Sequence, residues 1–175
     1  MSQAPLSETS VSLVLDEIKH HRLPTSFIET VERFYWPLCV QLREQLNPGK
    51  CRFIGIQGTQ GSGKSTCAAF VKILLESEFD LRVLVASIDD FYLTLAERQQ
   101  LAVMVHPLLL TRGVPGTHDM GLLKQFLMDA SLTGRFTVPR FNKASDDRAA
   151  AGDWPEYQGP YDVVILEGWC VGVTP

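Results

Sequence analysis

Three short apolar runs alternate with helical patterns along the chain and predict the strands of a β-sheet. The runs occupy residues 52–57, 81–86 and 162–167, and each has the length and aliphatic character of a strand buried in a sheet. Residues 64–78 carry apolar positions at helical spacing between the first two runs. The alternation predicts an α/β fold, in which a parallel sheet carries helices on both faces and right-handed crossovers.

Residues 1–50 carry helical patterns and predict an N-terminal segment that packs against the sheet. The second of its helices begins at Ser26, where Glu29 three residues later is typical of a capping box. Pro37 should kink or divide this helix, because proline removes a backbone donor. The predicted apolar stripe of the second helix is Phe27, Val31, Phe34, Leu38 and Leu42.

The segment between the second and third strands, residues 88–161, is far longer than one crossover helix needs. Thr94 with Glu97 predicts a capped helix, residues 119–130 predict another, and residues 134–160 have the composition of a loop. We expect this insertion to hold the substrate, and its basic side chains favour an anionic one.

The composition is that of an ordinary globular domain and excludes several classes of protein. Of the 175 residues, 45% are hydrophobic and 21% are charged, and the net charge is −4. An acidic balance argues against a broad surface for nucleic acid or anionic membrane. The four cysteines form no CxxC pair, and the sequence has no apolar leader and no run long enough for a membrane span. We therefore expect a cytoplasmic protein without structural zinc, with no nucleic-acid or membrane partner.

The segment Gly58–Ser65 fits the phosphate-binding pattern GxxxxGK[ST] and lies between a predicted strand and a predicted helix, as this loop requires. Its glycines permit a tight turn and bring amide N–H groups close to phosphate oxygens. Lys64 can reach the terminal phosphates, and the Ser65 hydroxyl can bind Mg²⁺. The sheet is therefore expected to be of the P-loop NTPase type. The residues predicted to bind the triphosphate are Gly58, Thr59, Gln60, Gly61, Ser62, Gly63, Lys64, Ser65 and Thr66.

Five blocks in order resemble the small-molecule P-loop kinases that include uridine kinase, pantothenate kinase and phosphoribulokinase, and within them the D-glycerate 3-kinase group. The blocks are GTQGSGKST, SIDDFYLT, VHPLLLTRGVPGTHD, PRFNKASDDR and VVILEGW. The resemblance implies a kinase that uses ATP and Mg²⁺ and phosphorylates a small hydroxy acid, with D-glycerate expected. The alternatives are a kinase of the uridine or pantothenate branch and a fragment that binds nucleotide without turnover.

The resemblance also implies roles for acidic residues after the second and third strands. Asp89 matches the acid that accepts the proton of the attacking hydroxyl, although such a carboxylate can instead hold the metal through water. With Lys64 it makes up the expected catalytic pair. Asp90 has the simpler interpretation of a loop or capping acid. Glu167 matches an acid near the metal, so Ser65 and Glu167 are the predicted metal residues, and the alternative is a strand-end carboxylate without a ligand.

The substrate side is implied by the resemblance of the RGVPGTHD and FNKASDDR blocks. The planar fork of Arg112 suits a bidentate grip on a carboxylate, whereas His118 and Asp119 have the alternative of only beginning a helix. The predicted substrate residues are Asp89, Tyr92, Arg112, His118, Asp119 and Arg148. The sequence leaves open which of the insertion's basic side chains touch a ligand: Arg135, Arg140, Lys143 or Arg148.

The kinases that the chain resembles continue beyond the third strand with two more strands, a lid helix and an adenine-binding loop. Because Pro175 comes eight residues after Glu167, we expect a partial kinase domain over residues 51–175, after the helical segment 1–50. In the family's strand order, the first strand would then have an open edge, which invites pairing with another chain. We expect weak phosphate binding, little kinase activity and self-association through Phe53–Gln57.

Overall fold

The computed structural model describes residues 4–172. The chain divides into two compact units. The first unit is Met1–Val85 with Tyr161–Pro175, and the second is Ala86–Pro160. Residues 1–3 and 173–175, which are the outer ends of the predicted segments 1–50 and 51–175, lie outside the described residues.

The predicted helices and the three predicted strands occur along the chain in the predicted order. The helices are α1 (Glu8–His20), α2 (Phe27–Thr30), α3 (Trp36–Glu44), α4 (Lys64–Phe79), α5 (Leu95–Met104) and α6 (Met120–Ser131). The strands are β1 (Arg52–Gln57), β2 (Val83–Ser87), β3 (Gly134–Thr137), β4 (Phe141–Asn142), β5 (Asp147–Arg148), β6 (Glu156–Gly159) and β7 (Val163–Gly168). Within residues 4–172, no helix has both the length and the apolar character that a membrane span requires.

The central sheet has the strand order β1-β7-β2. β1 and β7 run parallel, with Arg52 opposite Val163 and Gln57 opposite Gly168. Parallel neighbours require a crossover, and α4 supplies the one between β1 and β2. The predicted α/β fold with a parallel sheet is therefore confirmed.

The core of the first unit lies around α4, whose apolar face is fully buried, as its helical spacing predicts. α4 packs against β7 and β1, and α1 and α3 pack against α4. The N-terminal helices were expected on the sheet, but their main partner is α4. The buried side chains of this core include Val14, Ile18, Trp36, Cys39, Phe70, Val71, Leu74, Leu75, Val163 and Ile165.

The second N-terminal helix is divided, as Pro37 predicts, by a π-helical turn at Val31–Tyr35. A π turn contains about one residue more than an α turn, so the residues after it are rotated by about 100° around the helix. The predicted stripe is wrong at Phe34, which is 58% exposed, and at Leu38, which is also exposed, whereas Phe27, Val31 and Leu42 pack in the core as predicted. Trp36 and Cys39 take the buried positions instead.

One of the two predicted capping boxes is present. At the start of α5, the Thr94 hydroxyl accepts a hydrogen bond from the Glu97 amide, and the Glu97 carboxylate accepts one from the Thr94 amide at 2.7 Å. The box at Ser26 is wrong, because Ser26 has helical backbone angles and its side chain makes no capping bond. The Ser26 carbonyl oxygen accepts a hydrogen bond from the Glu29 amide at 3.1 Å. A backbone hydrogen bond therefore closes the first turn of this helix.

The second unit contains two small antiparallel sheets where a loop was predicted. β3 pairs with β6, and β4 pairs with β5. Phe136 of β3 contacts Phe126 of α6 on one side and Tyr157 of β6 on the other. Strands of two to four residues are too short to carry a readable alternation, and aromatic packing holds them in place.

The β1 strand is more exposed than an interior strand of a parallel sheet. Within the described residues, β1 has a hydrogen-bonded neighbour on one side only, β7. Phe53 is 47% exposed, and Gln57 is also exposed. The expectation of a buried strand is therefore wrong for β1, in which Ile54 and Ile56 are half-buried and the other four residues are exposed. Self-association through this edge stays a prediction.

A charge placed on the open edge tests this prediction. In the 175-residue chain, Phe53→Lys should lower concentration-dependent self-association, because a lysine on an edge strand disfavours pairing with another chain. Sedimentation velocity over a range of concentrations would measure it. Val103→Lys is the control, since Val103 is 89% exposed and lies on α5. A loss of association in the control, with none in the β1 variant, would place the contact elsewhere.

Candidate functional site

The glycine-rich loop lies between the end of β1 at Gln57 and the start of α4 at Lys64. Gly63 has φ +84°, a conformation that side chains rarely adopt. A Cβ atom on Gly58 would lie 2.6 Å from the Ser62 hydroxyl oxygen. The backbone angle at Gly63 therefore favours glycine, whereas a Cβ atom at position 58 would require the Ser62 side chain to move. Residues 58–66, predicted to bind phosphates, form this one loop and the first turn of the helix after it.

The side chains that end the loop meet the end of β7. The Ser65 hydroxyl donates to Glu167 Oε1 at 3.1 Å, and Lys64 Nζ donates to the Thr59 carbonyl oxygen at 2.8 Å. Glu167 is buried. Mg²⁺ takes oxygen ligands and is usually held by one or two carboxylates together with phosphates. A carboxylate and a hydroxyl beside a phosphate-binding loop fit this ion.

A pocket of about 410 Å³ opens beside the loop. Ser62, Gly63, Lys64 and Thr66 line it, and aromatic side chains of the N-terminal segment, Phe27 and Tyr35, complete its wall. The size lies within the range of small-molecule sites, about 300–1,000 Å³. The pocket could not be predicted from the sequence, because nothing in the N-terminal pattern relates that segment to the glycine loop.

In the second unit, the chain after β2 forms a short 3₁₀ turn, Ile88–Phe91, that carries both acidic residues. Asp89 accepts hydrogen bonds from the Tyr92 hydroxyl at 3.1 Å and from Lys143 Nζ at 2.7 Å. Burial by itself would raise the pKa of Asp89, but Lys143, the Tyr92 hydroxyl and, in the acid range where Asp89 titrates, the charge on His118 together hold it below its usual value. Asp89 is therefore ionised at neutral pH.

Asp90 is tied to β4. Its carboxylate accepts hydrogen bonds from Arg140 Nη1 at 2.9 Å and from the Phe141 amide at 3.1 Å. Burial raises the pKa of Asp90 above the usual value, even though both hydrogen bonds and the Arg140 charge oppose the rise. These contacts support the simpler interpretation of Asp90 as a residue that holds the loop.

His118 lies flat against Tyr92, with ring centroids 4.3 Å apart and the planes 24° from parallel. Burial lowers the pKa of His118, against the opposing effect of the Asp89 charge, so the ring is neutral at pH 7. Its Nε2 atom is buried and has no hydrogen-bond partner among the described residues. Buried polar atoms normally have partners, so this atom suits a hydroxyl of a ligand.

The remaining predicted substrate residues are engaged with other protein groups. Asp119 caps α6 by accepting from the Leu122 amide at 2.9 Å, and it also accepts from Arg148 Nη1 at 3.2 Å. Arg148 is 11% exposed. Arg112 pairs with the Asp146 carboxylate. The helix-start interpretation of Asp119 therefore has direct structural support.

The sequence left the contact of one basic residue open and missed that of another. Lys143 was one of four open candidates, and its ion pair with Asp89 follows from a turn that no sequence pattern predicts. Arg98 is fully buried and binds Asp146. The pattern of α5 gave no sign of this, since arginine at a helix surface is usually exposed.

Comparisons with known proteins agree with this geometry. No family model matches the chain. D-glycerate 3-kinase, chloroplastic, of Arabidopsis thaliana is 33% identical over 163 residues, which is 81% of this chain and 35% of that protein. The solved structure of D-glycerate 3-kinase from Cryptococcus neoformans superposes on this chain with a TM-score of 0.63. The two sequences are 30% identical, and the match covers 85% of this chain and 54% of the other.

The chain is D-glycerate 3-kinase-like in sequence and in fold. A further relative, the uncharacterized kinase mug58 of Schizosaccharomyces pombe, is 37% identical over 145 residues, or 77% of this chain and 52% of that protein. The chain thus spans between about a third and about half of the length of the curated relatives it matches. The α/β fold with a glycine loop is shared with P-loop kinases of known structure.

The two neighbouring acids should titrate in opposite directions. We expect the carboxyl pKa of Asp89 below its usual value and that of Asp90 above it, and Arg140→Gln should raise the pKa of Asp90 further, because it removes the opposing charge. Carboxyl ¹³C NMR titration would measure both, with Arg135→Gln as a control in which neither changes.

The shift of Asp89 also affects stability. Because its folded pKa lies below its unfolded pKa, its contribution is present above about pH 4 and is lost as the pH falls through the lower folded value. A pKa for Asp89 above that of Asp90 would contradict the described contacts.

Proposed function

We propose that the protein is a kinase that transfers the γ-phosphate of ATP to a hydroxyl of a small hydroxy acid, with D-glycerate as the preferred acceptor and Mg²⁺ as the metal. The phosphate loop with Ser65 hydrogen-bonded to Glu167 carries the proposal, because it unites an anion cradle with oxygen ligands for a metal. The choice of D-glycerate is supported by the similarity to D-glycerate 3-kinases.

The first unit supplies the groups for the nucleotide phosphates. The backbone amides of the loop bind phosphate oxygens, and the Lys64 ammonium lies at the loop's end, where it can leave the Thr59 carbonyl for a phosphate. Ser65 and Glu167 would hold Mg²⁺, which when bound neutralises charge on the phosphates. These groups stabilise the negative charge of the transferring phosphoryl group, and that is the main source of catalysis in such kinases.

The second unit supplies the groups for the acceptor. The ionised Asp89 carboxylate can accept a hydrogen bond from the attacking hydroxyl and orient it. With its pKa lowered, Asp89 is a weak base, so it takes the proton only after the oxygen has begun to bond to phosphorus. Tyr92 holds the carboxylate in place through its hydroxyl, and His118 Nε2 can bind a second hydroxyl.

A substrate panel tests the proposal. In any active form of the protein, coupled ADP release should be faster with D-glycerate than with uridine, pantothenate or no acceptor, and Lys64→Ala should lower it by at least about a hundredfold, because the charge at the transferring phosphate is lost. A full-length homologue is the positive control. Preference for uridine or pantothenate would move the protein to another kinase branch, and ATP binding without ADP release would indicate a nucleotide-binding fragment.

Substitution of the two carboxylates should separate their roles. Asp89→Asn should lower kcat by roughly 10²- to 10⁴-fold and leave ATP affinity within a few-fold, because the base acts in the transition state. Glu167→Gln should instead raise the Mg²⁺ concentration needed for half-maximal rate. Steady-state kinetics at varied ATP and Mg²⁺ would measure both. If Asp89→Asn weakens Mg-ATP binding and leaves kcat unchanged, Asp89 holds the metal and is not the base.

A further inference from the structure

Four basic side chains of residues 134–148 were candidates for ligand contact, and the structure distinguishes them. Three are engaged away from Asp89. Arg135 pairs with Glu156, Arg140 with Asp90 and Tyr157, and Arg148 with Asp119 and Glu97. Lys143 differs, because its side chain is 63% exposed and its ammonium lies 2.7 Å from Asp89 Oδ2. It is a solvent-accessible cation on the carboxylate proposed to receive the acceptor hydroxyl.

Lys143 lies in a turn that is stabilised by hydrogen bonds. The Asn142 side-chain oxygen accepts hydrogen bonds from the Ala144 amide at 2.9 Å and the Ser145 amide at 3.3 Å. Asp146 closes the turn with φ +54°, a conformation uncommon outside glycine. An exposed turn of this kind would be mobile by itself, so its geometry depends on what holds Asp146.

The buried Arg98 side chain binds Asp146. The guanidinium donates to the Asp146 carboxylate at 3.1 Å and to the Asp146 carbonyl oxygen, and also to the carbonyl oxygens of Leu93 and Leu110. Arg98 is 0% exposed. Burying a charge is costly unless it is paired and hydrogen-bonded, and here the cost is offset by bonds that join three chain segments. Arg112 also pairs with Asp146, so two arginines fix one carboxylate.

We propose that Lys143 binds the carboxylate of the acceptor, and that Arg98 is a positioning residue that presents Lys143 to Asp89 through Asp146. The inference rests on the proposed function and names a residue for its substrate class. In a small hydroxy acid, the carboxylate is one or two carbons from the hydroxyl. A hydroxyl at Asp89 therefore places the carboxylate close to the adjacent ammonium, and a charge-assisted hydrogen bond can form there.

The surroundings of Asp89 favour this arrangement. The groups that face it in the second unit are Tyr92, His118 and Lys143, with Asp90 beside it. Of these, Lys143 is the one positive charge at neutral pH, because His118 is neutral. An incoming carboxylate would be repelled by two aspartates unless it met this ammonium. The same arrangement disfavours an acceptor whose carboxylate lies far from its hydroxyl.

Direct binding to the 175-residue chain tests the role of Lys143. D-glycerate should bind more tightly than glycerol, which has hydroxyls and no carboxylate, and Lys143→Gln should weaken D-glycerate binding about tenfold without weakening glycerol. Lys143→Arg, which keeps the charge, should retain affinity within a few-fold. Arg135→Gln is the matched control, because its ion pair with Glu156 is exposed and lies in another hairpin. Isothermal titration and the side-chain ¹⁵N NMR signal of Lys143 would measure the effect.

The positioning role of Arg98 has its own readout. Arg98→Lys keeps the charge and removes the fork, so D-glycerate affinity should fall toward that of Lys143→Gln, and the double variant should be no weaker than the single. The pKa of Asp89 should rise while that of Asp90 stays unchanged, a difference that general destabilisation would not produce. If Arg98→Lys does not fold, Asp146→Asn, which keeps the carbonyl bond to Arg98, should show the same pattern.

The outcomes separate this inference from the proposed function. If Lys143→Gln binds D-glycerate as well as the unaltered chain does, or if D-glycerate leaves the Lys143 nitrogen signal unmoved, the inference is wrong. Transfer to uridine with no dependence on Lys143 would overturn it and leave the kinase function standing. D-glycerate binding at Lys143 with ADP release in no form of the protein, while the full-length homologue turns over, would support it and overturn the kinase function.

Discussion

The parallel pairing of β1 with β7 is the constraint on which the nucleotide site depends. In this register Ile56 lies opposite Glu167, so the carboxylate emerges at the point where the chain leaves the sheet for the glycine loop. Because parallel strands point their carboxyl ends the same way, the loop and the acid are brought to one edge. A shift of one residue in either strand would turn Glu167 to the other face of the sheet. The bond from Ser65 could then not form.

In the second unit, ion pairs position the acidic side chains, whereas in the first unit the register of two strands positions Glu167. The acids of the second unit lie next to each other in the sequence yet have opposite pKa shifts, because Asp89 pairs with the exposed Lys143 ammonium, whereas at Asp90 the effect of partial burial exceeds that of the pairing with Arg140. Neighbouring positions in a 3₁₀ turn point in different directions. One carboxylate is therefore available to a ligand while the other fixes the turn to β4. The different roles of these adjacent acids thus follow from the different directions of their side chains in the turn.

Much of the fold could be predicted from the sequence, because its signals are local. The glycine loop, the buried face of α4 and the capping box at Thr94 each depend on residues within a few positions of one another. The site around Asp89 was predictable in membership but not in contacts. Asp89 meets Lys143 across 54 positions of the chain, and such a pairing depends on hairpins that are too short to show a pattern. The resemblance to known kinases identified candidate site residues, but only the tertiary structure shows which of them form hydrogen bonds and ion pairs with one another.

The π turn before α3 makes room for the proline that follows it. In a continuous α-helix, the ring of Pro37 would collide with the carbonyl group of Arg33, four residues earlier. Arg33 lies within the π-helical turn Val31–Tyr35, where the wider winding gives that carbonyl room. The extra residue and the proline are therefore coupled: deleting a residue here would restore α-helical winding and reintroduce the clash.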